Sequence, residues 1–191
     1  MSIKIKEKQL LSDNWYKLFK VSYDIQLSEN EWQTQIREAY DRGNGAAILL
    51  YNPVKGTVIL TRQFRLPSFI NGNKDGYLIE VCAGMLDEDD AEECIKRETY
   101  EETGYKINKV EKIYEAYTSP GAVTEMLHFY IGAYQDSDKI GTGGGLDHEQ
   151  EDIEVLEMEF DKAYRMIQTG QIKDCKTIML LQYAKIHDLV R

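Results

Sequence analysis

The sequence predicts a mixed α/β sandwich, an α+β protein in which strands outnumber helices, and three observations carry that expectation. The chain has 191 residues, the size of one globular domain with a small appendage. Hydrophobic residues make up 42% of it and charged residues 29%, so a core can form. Short apolar runs bounded by glycine, proline and asparagine recur along the chain, and helical periodicity is confined to a few places.

Up to about residue 43 the pattern is strand-like and rich in aromatics. Residues 15–25 alternate loosely, Ser28-Glu-Asn-Glu offers a turn, and residues 32–40 form the return. Such a meander buries little by itself and needs the rest of the chain, or a second copy, to pack on. Asp41-Arg-Gly-Asn-Gly45 is the strongest internal boundary, so the expected division is 1–43 and 44–191. Two strongly apolar strands follow at 46–51 and 57–61, joined by the hairpin-type connection Asn52-Pro-Val-Lys-Gly56. After the polar loop Asn71-Gly-Asn-Lys-Asp-Gly76, residues 77–82 read as one short strand. Residues 90–103 read as a helix, with Gly104 where a left-handed cap belongs. Strands are expected at 110–117, 126–134 and 153–160, and helices at 162–168 and 176–189.

Composition excludes several classes. A net charge of −10 argues against a surface built to neutralise a long nucleic acid. It leaves room for a small phosphorylated ligand, because a bound cation reverses the local field. No window approaches the apolar length of a membrane span, and the lysine-interleaved N-terminus lacks a signal-peptide core. Cys82, Cys94 and Cys175 are widely spaced without a CxxC, which argues for reduced thiols in a cytoplasm. His128, His148 and His187 form no pair at zinc-ligand spacing and read as surface or packing residues.

The helix at 90–103 carries the chemistry. Ala91, Ile95, Glu98 and Glu102 fall at i, i+4, i+7 and i+11, one stripe that runs from apolar side chains into two carboxylates. Glu101 lies beside them, one turn after Arg97, which is placed to pair with it. Carboxylates near a helix C-terminus face the unfavourable end of the dipole, so capping does not account for them. One reading is a solvated acidic face. The other is a buried acid cluster, costly unless paired or neutralised by a divalent cation, for which hard oxygens suit magnesium or manganese. The strand ending in Cys82-Ala-Gly84 and the Asp-rich loop before the helix favour the metal. Asp87-Glu-Asp-Asp lacks the glycine of an EF-hand, and neither a Walker A sequence nor a complete dinucleotide fingerprint occurs.

At these residues the chain resembles the Nudix hydrolases, whose box is G-x5-E-x7-R-E-U-x-E-E-x-G-U with U aliphatic. Arg97-Glu98-Thr99-Tyr100-Glu101-Glu102-Thr103-Gly104-Tyr105 matches the second half, with Thr99 and Tyr105 at the aliphatic positions. The first half departs: Asp89 stands where the box has Glu, and Gly84 is one residue too close. Together with Tyr40-Asp-Arg-Gly-Asn-Gly-Ala, Arg62-Gln-Phe-Arg65, Asn71-Gly-Asn, Ser119-Pro-Gly and Gly143-Gly-Gly, the pattern is similar to the GDP-mannose pyrophosphatases, relatives of ADP-ribose pyrophosphatase. The resemblance implies a Nudix α/β/α sandwich with a mixed sheet and an N-terminal antiparallel arm. It implies magnesium-dependent hydrolysis of a nucleotide sugar, GDP-mannose giving GMP and mannose 1-phosphate.

By the same resemblance the metal ligands are the carbonyl of Ala83 and the carboxylates of Glu98, Glu102 and Glu151. Glu151 is the first choice for general base, with Glu149 and Glu125 as rivals. Arg37, Arg65 and Lys176 supply cations for the pyrophosphate, and a planar guanidinium suits bidentate contact. Glu38 is placed to accept the adjacent N–H donors of guanine, Trp15 or Tyr16 to stack on the base, and the arm to be exchanged in a homodimer. The alternatives are an ADP-ribose or ADP-sugar hydrolase with the same acids, a nucleotide-sugar sensor that lost catalysis, and an acidic interaction protein without a pocket.

Overall fold

The computed structural model describes residues 1–86, 90–146 and 150–190. The chain forms two compact units. The first is an antiparallel meander of β1 (Ile3–Asp13), β2 (Lys17–Ser28) and β3 (Glu31–Asp41), joined by the distant segment Tyr117–Met126. That segment is held by backbone: the Tyr40 N–H donates to the Ala122 carbonyl at 2.8 Å, and the Thr124 N–H to the Tyr40 carbonyl at 3.0 Å. Side chains alternate across a strand, so register assigns the faces. Ile3, Ile5 and Leu10 share one face with Phe19, Val21, Tyr23 and Ile25. Ile5 and Leu10 are an odd number of residues apart, and the register shift between Ile5 and Glu7 brings both to that side.

The second unit is a seven-stranded mixed sheet in the order β10-β5-β4-β9-β8, with β6 on β5 and β7 on β4. These are β4 (Gly45–Asn52), β5 (Thr57–Phe64), β6 (Tyr77–Glu80), β7 (Cys82–Met85), β8 (Glu111–Tyr117), β9 (Met126–Ala133) and β10 (Glu154–Glu159). β4 runs parallel to β9 and antiparallel to β5 and β7. Its near-continuous apolar run suits a strand covered on both faces. Ala47 and Leu49 pack into the cluster of α3 (Phe160–Gln168) and α4 (Cys175–Ile186), through Phe160, Ala163, Leu180 and Leu181. Ala46, Ile48 and Leu50 pack into the cluster of α2 (Ala91–Thr103), through Ala91 and Ile95. The architecture is the expected α/β/α sandwich. Among the described residues no helix is long and apolar enough to cross a membrane.

One local expectation is corrected, and one short element was not foreseen. Residues 77–82 are not one strand: the run breaks at Val81, whose N–H donates to the Thr177 hydroxyl at 2.8 Å. The chain thereby changes partners, from β5 for β6 to β4 for β7. The short α1 (Leu66–Ile70), with Pro67 in its first turn, has too few residues to show a helical period.

Candidate active site

α2 begins and ends on the residues its sequence suggests. The Asp90 side chain accepts from the Glu92 N–H at 2.9 Å, and Gly104 takes the left-handed conformation, with φ 77°. Ala91, Cys94 and Ile95 are buried, as the stripe requires. Thr99 is fully buried at one aliphatic position of the box, where its hydroxyl is satisfied by donating to the Ile95 carbonyl at 2.6 Å.

Glu102 continues the stripe into the interior and is only 2% exposed, so the solvated-face reading does not hold for it. Its Oε2 is buried with no hydrogen-bond partner among the described residues. Burial above all, then the Glu98 and Glu151 charges, push its carboxyl up to about 8, against a hydrogen bond from Cys82 and the pull of Arg65. The Cys82 thiol is itself pushed well up by burial and by Glu102, so it keeps the proton it donates. Glu98 lies against β7 so closely that a Cβ on Gly84 would overlap its carboxylate. Arg97 stands 3.0 Å from both Glu98 and Glu101, the latter being the expected pair. Ala83, flanked by Cys82 and Gly84, lies on the strand that borders these acids.

The glycine-rich loop Gly141-Thr-Gly-Gly-Gly145 is tied to the end of α2. The Gly144 N–H donates to the Glu102 carbonyl at 2.8 Å, the Gly145 N–H to the Glu101 carbonyl at 3.1 Å, and the Gly141 N–H to the Gly104 carbonyl at 3.0 Å. These bonds satisfy carbonyls that the end of α2 would leave open. A Cβ on Gly143, at φ 67°, would overlap the Thr103 backbone. The same loop carries Glu151, whose Oε2 accepts from the Leu146 N–H at 3.2 Å. Asp89, the rival base Glu149 and His148 lie outside the described residues.

Arg65 and Lys176 meet on one acid that the sequence did not single out. Arg65 Nε lies 2.8 Å from Glu80 Oε2, and Lys176 Nζ lies 3.4 Å from Glu80 Oε1 and 2.7 Å from Asp174 Oδ1. Lys176 is therefore no ordinary surface cation. The roles of Glu80 and Asp174, and the contact of Cys82 with Glu102, carry no sequence signal because the partners are distant in sequence or belong to no recurring motif.

Within the N-terminal unit, Trp15 is 80% exposed, whereas Tyr16 packs edge-on against Tyr40 at 5.8 Å beneath the Arg42 guanidinium. Arg37 and Glu38 are successive residues of β3 and leave opposite faces of the sheet. The Arg37 guanidinium donates to the Ile36 carbonyl at 2.8 Å. Glu125, the other rival base, belongs to this unit and lies 3.5 Å from Arg42 Nε. Elsewhere, His128 Nδ1 stands 3.2 Å from Glu115 and His187 stacks on Tyr183, so both take packing roles.

The donors at the acid cluster suit a divalent metal in kind. They are hard carboxylate oxygens, one of them buried with no hydrogen-bond partner among the described residues. Among the described residues no three His, Cys, Asp or Glu side chains already stand arranged to hold an ion. One oxygen of Glu98 is engaged with Arg97 and one of Glu151 with the Leu146 N–H, whereas Glu102 Oε2 is buried with no hydrogen-bond partner among the described residues.

A sandwich with a buried acid at the end of its R-E-x-x-E-E helix belongs to a recognised class. The NUDIX domain model matches residues 41–175, and the chain is a member of the Nudix hydrolases. The model of the GDP-mannose pyrophosphatase NudK N-terminal domain matches residues 2–40. Among its relatives, the GDP-mannose pyrophosphatase of Yersinia enterocolitica is 53% identical over the full length of both chains. That of Pectobacterium atrosepticum is 56% identical, covering 96% of this chain and 94% of the relative. That of Yersinia pestis is 54% identical, covering 98% and 94%.

Proposed function

We propose that this chain hydrolyses the pyrophosphate bridge of GDP-mannose to GMP and mannose 1-phosphate, with magnesium as the metal. The observation that carries the reading is the buried Oε2 of Glu102, which has no hydrogen-bond partner among the described residues and feels the charges of Glu98 and Glu151, on a chain 53–56% identical to GDP-mannose pyrophosphatases. Glu98, Glu102 and Glu151, with the Ala83 carbonyl, hold the metal. When bound, it supplies Lewis-acid polarisation and offsets phosphate charge.

The protein's own groups do the rest. Arg65 and Lys176 bind phosphate oxygens, with Arg37 as a further cation. Glu151 accepts a proton from the water that attacks phosphorus, and the bridging oxygen leaves with the other phosphate. Arg97 holds Glu98 and Glu101 in place. Glu38 reads guanine by accepting its adjacent N–H donors, and Trp15, the exposed member of its pair, stacks on the base. Two copies associate through the N-terminal sheet at 1–43, a reading supported by Ile3, Ile5 and Leu10 standing exposed on its apolar face. The reduced thiols of Cys82 and Cys175 support a cytoplasmic location.

Chromatography of products from GDP-mannose, ADP-ribose and ADP-glucose, each with and without magnesium, tests the proposal. GMP and mannose 1-phosphate appearing only with metal is the expected result. Preferential cleavage of an adenine substrate would keep the chemistry and remove the base assignment. Binding without turnover would make the chain a sensor.

A further inference from the structure

We infer that Glu80 is a positioning residue for pyrophosphate: it sets the spacing of Arg65 and Lys176 and turns their unused N–H donors outward to one ligand. The inference rests on the phosphate-binding reading of these two cations given above.

Glu80 is 3% exposed at the end of β6, and each of its oxygens serves a different cation. Oε2 takes Arg65 at 2.8 Å and Oε1 takes Lys176 at 3.4 Å. The grip on Arg65 is at Nε, the nitrogen nearest the stem. Arg65 makes no other side-chain hydrogen bond among the described residues, so the fork of Nη1 and Nη2 stays open. That fork is the geometry that meets two phosphate oxygens at once. Of the three Lys176 donors, Glu80 takes one and Asp174 a second, at 2.7 Å, leaving one.

The backbone fixes this acid from two sides. The Glu80 carbonyl accepts from the Thr61 hydroxyl at 3.3 Å, and the next N–H, of Val81, donates to the Thr177 hydroxyl at 2.8 Å. Thr177 is in turn held by Asp174, at 2.9 Å to its N–H and 2.6 Å to its hydroxyl. The break between β6 and β7 and the start of α4 are thus one assembly, with Glu80 on one side and Lys176 on the other. A buried carboxylate costs several kcal/mol unless paired. Two bonds to two cations meet that need and leave most of their donors for a ligand.

The test measures KM and kcat for GDP-mannose at saturating magnesium in wild type, Glu80→Gln and Glu80→Asp. Thermal stabilisation by Mn2+ alone, and by inorganic pyrophosphate with magnesium, is measured beside them. Glu80→Gln is expected to raise KM and the half-saturating pyrophosphate roughly tenfold, the scale of one lost charge-assisted hydrogen bond, with a smaller change in kcat. Half-saturation by Mn2+ stays within about twofold of wild type, a readout that separates this role from metal binding or general loosening. Glu80→Asp keeps the charge and recovers part of the loss, and it carries the test if the Gln variant does not fold. In an Arg65→Lys background, Glu80→Gln adds less than it does alone, because one acts through the other. KM and pyrophosphate half-saturation within about twofold of wild type in both variants would overturn the inference, and so would a Mn2+ shift as large as the KM shift. A wild-type protein that cleaves no GDP-mannose overturns the functional reading instead, and the pyrophosphate measurement still decides the role of Glu80.

Discussion

Two strands of this chain, β2 with 12 residues and β4 with 8, are both paired on each side, yet they live in different surroundings. β2 lies in the middle of its sheet, and none of its 12 residues is fully buried. In β4 every residue but Tyr51 is buried. Pairing satisfies the backbone in both, but only β4 has apolar layers on each face. Hydrogen-bonded ladders add little net stability, whereas burial of apolar surface dominates it. The contrast locates the free energy of folding, and with it the acid cluster, in the second unit. The N-terminal sheet is a hydrogen-bonded scaffold on which Ile3, Ile5 and Leu10 stand exposed beside polar neighbours.

The sharpest test of that contrast concerns function. Glu102→Gln in the core-bearing unit is expected to leave the fold intact and lower kcat by two to three orders of magnitude, as loss of one pre-organised electrostatic group does. Near-native turnover with magnesium would remove Glu102 from the site. Next comes stability, read from urea unfolding at matched concentrations. Leu49→Ala, at a fully buried position of β4, should cost about 2–5 kcal/mol. Ile5→Ala, at a position 62% exposed, should cost under about 0.5 kcal/mol in dilute protein. An equal loss at Ile5, independent of protein concentration, would break the comparison.

The smallest effect is a pH slope. Glu102 is raised from 4.5 to about 8 in the folded protein, so the folded chain keeps a proton that the unfolded chain releases. Its contribution is full below pH 4.5 and is lost as pH rises through about 8. Metal-free protein should therefore lose stability across that window, by up to a few kcal/mol, since each tenfold change in proton affinity is worth about 1.4 kcal/mol. Magnesium should remove most of the loss, and Glu102→Gln should flatten the slope. Thermal melts from pH 4.5 to about 8.5 with and without magnesium check this, and a flat wild-type profile without metal would contradict the burial of Glu102.

Features written in local patterns were legible in the sequence. The run Ala46-Ala-Ile-Leu-Leu-Tyr51 announces a strand covered on both faces, and the stripe from Ala91 to Glu102 announces a helix that carries acids inward. Asp90 and Gly104 mark its ends by types that favour those backbone states. Contacts made at a distance stayed hidden. Glu80 joins Arg65 and Lys176 across the fold, and Tyr117–Met126 is drawn to the first sheet by main-chain bonds to Tyr40 and by contacts of Thr124 with Asp41 and Glu125 with Arg42, partners about 80 residues upstream. The anchoring of the glycine loop also left no local mark, because its partners are backbone carbonyls of a helix far upstream.

That loop makes one amide pair serve two purposes. The N–H groups of Gly144 and Gly145 close the end of α2 on the carbonyls of Glu102 and Glu101, and a few residues later the same stretch delivers Glu151. An opening that carries Glu151 away with these amides also uncaps the helix end that carries Glu102. The acid cluster then comes apart as one cooperative unit of local unfolding rather than acid by acid, and hydrogen exchange at those two amides keeps time with its assembly.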